Sequence, residues 1–302
     1  MRPYLCIAAL GCASATGLTA ARCTTVLNMN ALAKYDSYVV TAEAPMKVRF
    51  ESGELAWLPE GERRRAAAEL ASGKLVKRNM APPEVNGRLT LEDGTVLDWV
   101  GAILVPGARV SDVETVLQDF ARYDVAYRPL IYHWLIQSKA QSGAPSYDVI
   151  FGLQHSFRFA SVFPQQFAFQ VRGRMDFARS STRADLFYAR IRSEEIRESN
   201  SGEPGRNDLL EQYHDHGIMW ALNAYWRARQ SGSGVYLEFE SITLARSVEK
   251  FSCTLGIVPV PKAVVSAAMN ALPVQSVELM LTATRSEWQR RSSSRAGRAG
   301  DQ

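Results

Sequence analysis

The sequence predicts an α+β protein, with a long antiparallel sheet followed by a C-terminal helix and preceded by a helical extension. Three stretches carry this. In 166–178, QFAFQVRGRMDFA, residues Phe167, Phe169, Val171, Gly173, Met175 and Phe177 point one way and polar residues mostly point the other, a period of two that means a strand with one buried face. IMWALNAYWRARQ (218–230) and VYLEFESITLA (235–245) are two such strands around SGSG. From residue 260 apolar positions recur at helical spacing.

The totals suit a globular chain with a substantial core: 302 residues, 46% hydrophobic and 22% charged. The net charge of +4 is unevenly placed. The last segment holds Arg290, Arg291, Arg295 and Arg298 against Asp301, and Arg2 lies in the leader, which leaves the body near neutral. A nucleic-acid surface needs basic residues clustered on the fold itself, so that class is excluded.

Residues 1–21 read as a secretory leader: Arg2, an apolar run, then small residues before a cut. The run is too interrupted for a membrane span. The expected product is exported, periplasmic or extracellular. Translation from Met29 is the alternative and would leave a shorter cytosolic protein. Of four cysteines, Cys6 and Cys12 lie in the leader. Cys23 and Cys253 show no spacing that suggests a metal or thiol-redox motif.

Residues 22–87 form the extension. Leu32, Tyr35, Val39 and Ala42 share a helical face, and residues 58–74 form a second helix stopped near Gly73. Arg63, Arg64 and Arg65 on that helix read as a solvated face, with anionic lipid as the alternative partner. Pro82, Pro83 and Gly87 mark the boundary to a main domain over 88–290.

The main domain opens with a strand, 95–107. Residues 108–129 follow as two short helices, with Ser111 as cap, Glu114 three residues on, and a stripe of Val113, Val116, Leu117 and Phe120. Strands at 130–137, 147–159, 166–178 and 184–198 follow, the second carrying Val149, Phe151, Leu153, His155, Phe157 and Phe159 on one face. In the hairpin, a four-residue loop places Gln230 opposite Val235. Trp226 then meets Phe239 on the face of Trp220, Leu222, Val235 and Leu237, and Arg227 meets Glu238 on the other, so this register satisfies both faces. The polar face, with Asn223, Tyr225, Arg227, Glu238 and Glu240, is open to two readings: solvated, or covered by the N-terminal helices. The closing helix is expected to break at Pro273, with Val274, Val277, Leu281, Thr284 and Trp288 on one stripe. Residues 291–302, rich in Ser, Arg and Gly, are expected to be disordered.

The stretches DWVGAILVPGARVSDVETVLQDFARYDVAYRP, DHGIMWALNAYWRARQSGSGVYLEFESITLAR and LMLTATR, with the strands between them, resemble the START-like (helix-grip) superfamily, and an exported bacterial branch of it, over about residues 95–290. Phe187 and Tyr188 depart from that branch's more polar strand. The resemblance implies a helix-grip fold: a curved antiparallel sheet wrapped around a C-terminal helix, with an apolar cavity for a lipid or other hydrophobic small molecule between them. Its expected lining is drawn from Phe151, Leu153, Phe169, Val171, Trp220, Leu222, Leu237 and Phe239, with Val277 and Leu281 from the helix and His155 as polar anchor. A core histidine with one hydrogen bond is the plainer reading of His155.

His214 and His216 flank Asp215, and alternate strand positions share a face. A third ligand at matching spacing is lacking, so the expectation is solvated residues at a strand entry, bent at Gly217, with no metal. No nucleophile, P-loop or dinucleotide motif occurs. The expected protein is a cofactor-free, monomeric binder of a hydrophobic small molecule or lipid, with membrane contact peripheral at most. A cyclase- or hydrolase-like enzyme using His155 and a non-ligand interaction module are the alternatives, and fold alone does not choose among them.

Overall fold

The computed structural model describes residues 24–81, 89–91, 93–140, 143–159, 163–180, 183–232, 234–247, 254–255, 258–259 and 262–300. The leader, all four cysteines, the boundary at 82–87 and the side chains of Phe157 and Phe159 lie outside the described residues. In chain order the elements are β1 (Thr25–Val26), α1 (Met29–Ser52), α2 (Glu60–Ala71), β2 (Val76–Asn79), β3 (Leu89–Leu91), β4 (Gly94–Pro106), α3 (Val110–Gln118), a 3₁₀ turn (Phe120–Arg122) and α4 (Tyr123–Ala126). They continue as β5 (Ile131–Lys139), β6 (Ser146–Phe159), β7 (Phe163–Arg179), β8 (Leu186–Glu198), β9 (His214–Asp215), β10 (Ala221–Ser231), β11 (Gly234–Arg246), β12 (Thr254–Leu255), β13 (Val258–Pro259) and α5 (Lys262–Gly300).

Nine strands make one antiparallel sheet in the order β2-β4-β11-β10-β8-β7-β6-β5, with β3 also on β4. Trp226 pairs with Phe239, Arg227 with Glu238 and Gln230 with Val235, the expected register. Pairing continues to Ser231 opposite Gly234, so the turn is tighter than a four-residue loop. β7 keeps its alternation, with Phe169, Val171, Met175 and Phe177 buried and Arg172 and Arg174 exposed. Its pairing with β8 shifts register at Arg172/Gly173, the one-residue slip of a bulge.

One sheet face packs on α5 around Val277, Leu281 and Trp288 and on α3 around Val113, Val116 and Leu117. The other packs on α1 through Tyr35, Val39 and Met46, and on Phe50, Trp57 and Leu70 from α1, α2 and the segment between them. The middle strands β4, β10 and β11 are therefore buried on both faces. This decides the polar face of the hairpin, which is covered. Arg227 Nε donates to Glu238 Oε1 at 2.6 Å, and its other arm donates to Glu240. Arg49 of α1 reaches Glu240 at 2.6 Å. Trp57 Nε1 donates to Glu238 at 2.9 Å, and Tyr38 donates to Asp98 at 2.7 Å. Burial first, then the nearby Glu240 carboxylate, pushes the Asp98 carboxyl well above the usual range.

Four local expectations are corrected. The N-cap of α3 is Arg109, whose backbone N–H donates to the Asp112 carboxylate at 2.9 Å, and Ser111 sits in the first turn. The extension is not separate from the main sheet, because β2 pairs with β4 from Val76↔Ala102 to Asn79↔Trp99. α5 runs through Pro273 without a break; the ring removes one backbone donor, and packing of the next three turns on the sheet holds the helix. It also continues to Gly300, where the tail was expected to be disordered. Arg291 is bound there by Asp119 at 2.5 Å and Glu287 at 2.9 Å.

Candidate functional site: an apolar cavity between the sheet and the C-terminal helix

Alternate residues of each strand face α5, so the facing positions of β6, β7, β10 and β11 enclose a space with one face of the helix. Phe151, Leu153 and His155 come from β6, Phe169 from β7, Leu222, Ala224 and Trp226 from β10, and Phe239, Ser241 and Thr243 from β11. Met269, Leu272, Ser276 and Met280 of α5 close it. Tyr123, Leu130, Ile131 and Trp134 form an end wall, where Trp134 stacks on Phe151 with ring centroids 4.9 Å apart.

The cavity volume is about 60 Å³. That is room for a few waters. A molecule of one or two rings must displace side chains to enter.

Among the described residues, none that lines the cavity is Asp, Glu, Lys or Arg. His155 is the titratable imidazole of the wall. Its Nε2 lies 3.4 Å from Ser276 Oγ, whose hydroxyl donates to Leu272 O at 3.1 Å. Desolvation lowers its pKa to about 4, so the ring is neutral at pH 7. Neutral imidazole offers one donor and one acceptor.

Six of the expected lining residues meet at the cavity: Phe151, Leu153, His155, Phe169, Leu222 and Phe239. Val171 and Leu237 are packed in the surrounding core. Val277 and Leu281 instead fill the seam where α5 touches Gly101 of β4. Trp220 is on the other side of the sheet, in the cluster under α1. Residues absent from the expected set include Trp226, Trp134, Ser241, Thr243 and Ser276. Trp226 carried the right signal, since it shares its face with Leu222 and Phe239. On α5 the apolar stripe was legible, but the cavity is met by the neighbouring face at 269, 272, 276 and 280.

The paired histidines resolve differently from the solvated expectation. His214 is exposed, but His216 is 3% exposed, with Nδ1 3.0 Å from Glu198 Oε1. Asp215 is buried too, its Oδ1 accepting from Gly217 N at 2.7 Å and Trp220 Nε1 at 2.8 Å. Burial, then the Glu198 carboxylate, raises its pKa to about 6. Gly217 turns the chain at φ +73°, the left-handed region that favours glycine. The segment is a buried knot that seats Trp220. Among the described residues no group of three or more His, Cys, Asp or Glu is placed to hold a metal.

No family model matches the sequence, and no curated protein matches it. Solved structures do. A STAR-related lipid transfer protein fragment from Xanthomonas axonopodis is 11% identical, covers 67% of this chain and 96% of its own, and has a TM-score of 0.37. The Zhui aromatase/cyclase from Streptomyces sp. R1128 is 15% identical over 65% of this chain and 96% of its own, at 0.39. Human STARD10 is 11% identical over 78% and 83%, at 0.36. At these values nothing about ligand or activity follows. The chain's own architecture decides the fold: strand, two short helices, an antiparallel run of strands, and a terminal helix packed across one sheet face. The fold is an α+β helix grip. In this chain α1 and α2 add a third layer on the other face.

Proposed function

We propose that this protein binds a hydrophobic small molecule or lipid between the sheet and α5. The observation that carries the reading is a cavity whose walls are aliphatic and aromatic, with His155, Ser276, Ser241 and Thr243 as its few polar groups, the composition of a small-molecule site. Binding is favoured over catalysis because His155 is a weak base, neutral at pH 7, with no carboxylate among the described lining residues to orient it.

Native mass spectrometry of protein purified from its own host, with solvent extraction of the same sample, tests this. The expected result is a stoichiometric apolar compound. A clean polypeptide mass, together with no binding of any apolar probe in titration, overturns it. Export and a monomeric state complete the reading. The leader-like segment 1–21 supports export; cell fractionation checks export and sizing checks the monomeric state.

A further inference from the structure

One segment of the cavity wall is clamped by a buried carboxylate. Asp215 Oδ1 accepts from Gly217 N at 2.7 Å and from Trp220 Nε1 at 2.8 Å, so a single side chain spans the turn 217–220. Ile218 and Met219 of that turn line the cavity. The turn belongs to no strand, and backbone bonds hold its two ends: Arg246 N to Gly217 O at 2.6 Å and Trp220 N to Leu244 O at 2.7 Å. Asp215 and Glu198 are both dry, at 1% and 0% exposure. His216 serves Glu198, with Nδ1 3.0 Å from Oε1 and its backbone N–H donating to Oε2 at 3.2 Å. The second oxygen of Asp215, Oδ2, is buried without a hydrogen-bond partner among the described residues. Arg246 of β11 lies against Gly217 through its aliphatic stem, and β1 brings Thr25 and Val26, which do not titrate. The phenols of Tyr35, Tyr213 and Tyr225 around Trp220 are held above their ordinary range by burial and stay neutral. Removing the Asp215 proton thus puts a negative charge in a dry space beside the Glu198 carboxylate, with one imidazole near to offset both. In an opened turn water solvates the same charge.

We infer that Asp215 is a proton-operated latch on the cavity wall: protonated, it keeps the 217–220 turn closed, and ionised, it favours an open turn through which apolar ligands pass. This rests on the cavity reading above and adds regulation to it. The direction follows from linkage. The closed form keeps its proton to higher pH than the open form does, so rising pH shifts the turn towards open. A hydrated aspartate titrates at about 3.9, and burial, then Glu198, raises Asp215 to about 6. Between pH 5 and pH 8 the ratio of open to closed turn therefore rises about tenfold. His155, desolvated in the cavity itself, acts in the opposite direction; that effect is common to the full chain and its Asp215 variant and cancels in their comparison.

Two measurements on the full chain test the latch. Amide hydrogen exchange at Gly217, corrected for the intrinsic effect of pH, reads opening of the turn without a ligand or a mutation. Stopped-flow entry of N-phenyl-1-naphthylamine, uncharged from pH 5 to 8, reads passage into the cavity. Asp215→Asn keeps an acceptor oxygen for Gly217 and Trp220 and cannot ionise. The expected result is that protection at Gly217 falls about tenfold from pH 5 to pH 8, that probe entry quickens by a similar factor relative to Asp215→Asn, and that the variant's Gly217 protection stays level. Should the variant fail to fold, exchange and entry in the unaltered chain still decide. Level protection at Gly217 in the unaltered chain, or the same pH response in Asp215→Asn, overturns the latch, and equilibrium binding of the probe leaves the cavity reading standing. If no apolar probe binds at either pH, the cavity reading falls and the gating role falls with it, whatever Gly217 shows.

Discussion

Arg227 and Glu238 face each other across the β10–β11 hairpin, Nε to Oε1 at 2.6 Å, in the dry layer between the sheet and α1. Glu240 takes the second arm of the same guanidinium and also receives Arg49. Two cations thus serve two carboxylates on a face that a two-layer version of the fold would leave in water. Replacing Arg227 by Met strands the pair of glutamates, and the expected cost is about 3–5 kcal/mol. Replacing Arg49, Arg227, Glu238 and Glu240 together by two Met and two Leu removes the charges as a set and is expected to cost much less. Urea unfolding of both variants makes the comparison.

Removing α1 and α2 exposes this whole layer. A chain starting after Lys74 loses Tyr35, whose hydroxyl donates to Ile242 O and accepts from Asn223, and Trp57, which donates to Glu238. The expected product lacks a cooperative unfolding transition and binds hydrophobic dye. Near-ultraviolet circular dichroism and dye binding on the truncated chain check this; an unaltered melting transition would show that the two helices are dispensable.

Gly101 sets how closely α5 approaches β4. A Cβ there would lie 2.5 Å from Val277 Cγ1 and 3.2 Å from Leu281 Cδ1. Gly101→Ala overpacks the seam and is expected to cost about 1–3 kcal/mol. Val277→Ala in the same chain should recover part of that, because it removes the atom first met. A double-mutant cycle by chemical denaturation measures the recovery.

His155 makes stability depend on pH. Its folded pKa of about 4 lies below the 6.5 of a free imidazole. Between those values the unfolded chain holds the extra proton, so this residue's contribution falls as pH drops from about 6.5 to 4. At pH 5 the loss from this group is about 2 kcal/mol relative to neutral pH. Asp215 works in the opposite direction. Its folded pKa is raised to about 6, so its native form takes up the proton and its contribution grows as pH falls from about 6 towards 4. The two are separated by His155→Phe, which should flatten the acid-side loss by that amount. Thermal melts of parent and variant from pH 7.5 to 5 test the sign.

Much of this was legible locally. The alternation in 166–178 and the two-faced pairing of 218–245 required strands in one register, because a one-residue slip would set Arg227 opposite Leu237 and Trp226 opposite Glu238. The stripe Val113, Val116, Leu117 identified α3. The helical period of the closing segment was also plain, yet which of its faces meets the cavity was not. Periodicity reports that a face is buried and is silent on what lies opposite.

What the sequence determined alone was the main helices and the long strands, the hairpin register and the apolar face of each long strand, since these follow from periods of 2 and 3.6 along a few neighbouring residues. Tertiary structure alone decided which layer each face enters. Trp220 sits in the outer layer rather than the cavity, because Asp215 and the turn at Gly217 seat it there. His216 is buried against Glu198, and Arg227 and its glutamates are dry rather than solvated because α1 returns across the sheet. Contacts between residues far apart in the chain, such as Arg49 with Glu240 or Ser276 with His155, depend on how the layers stack. No local pattern of side chains encodes that stacking.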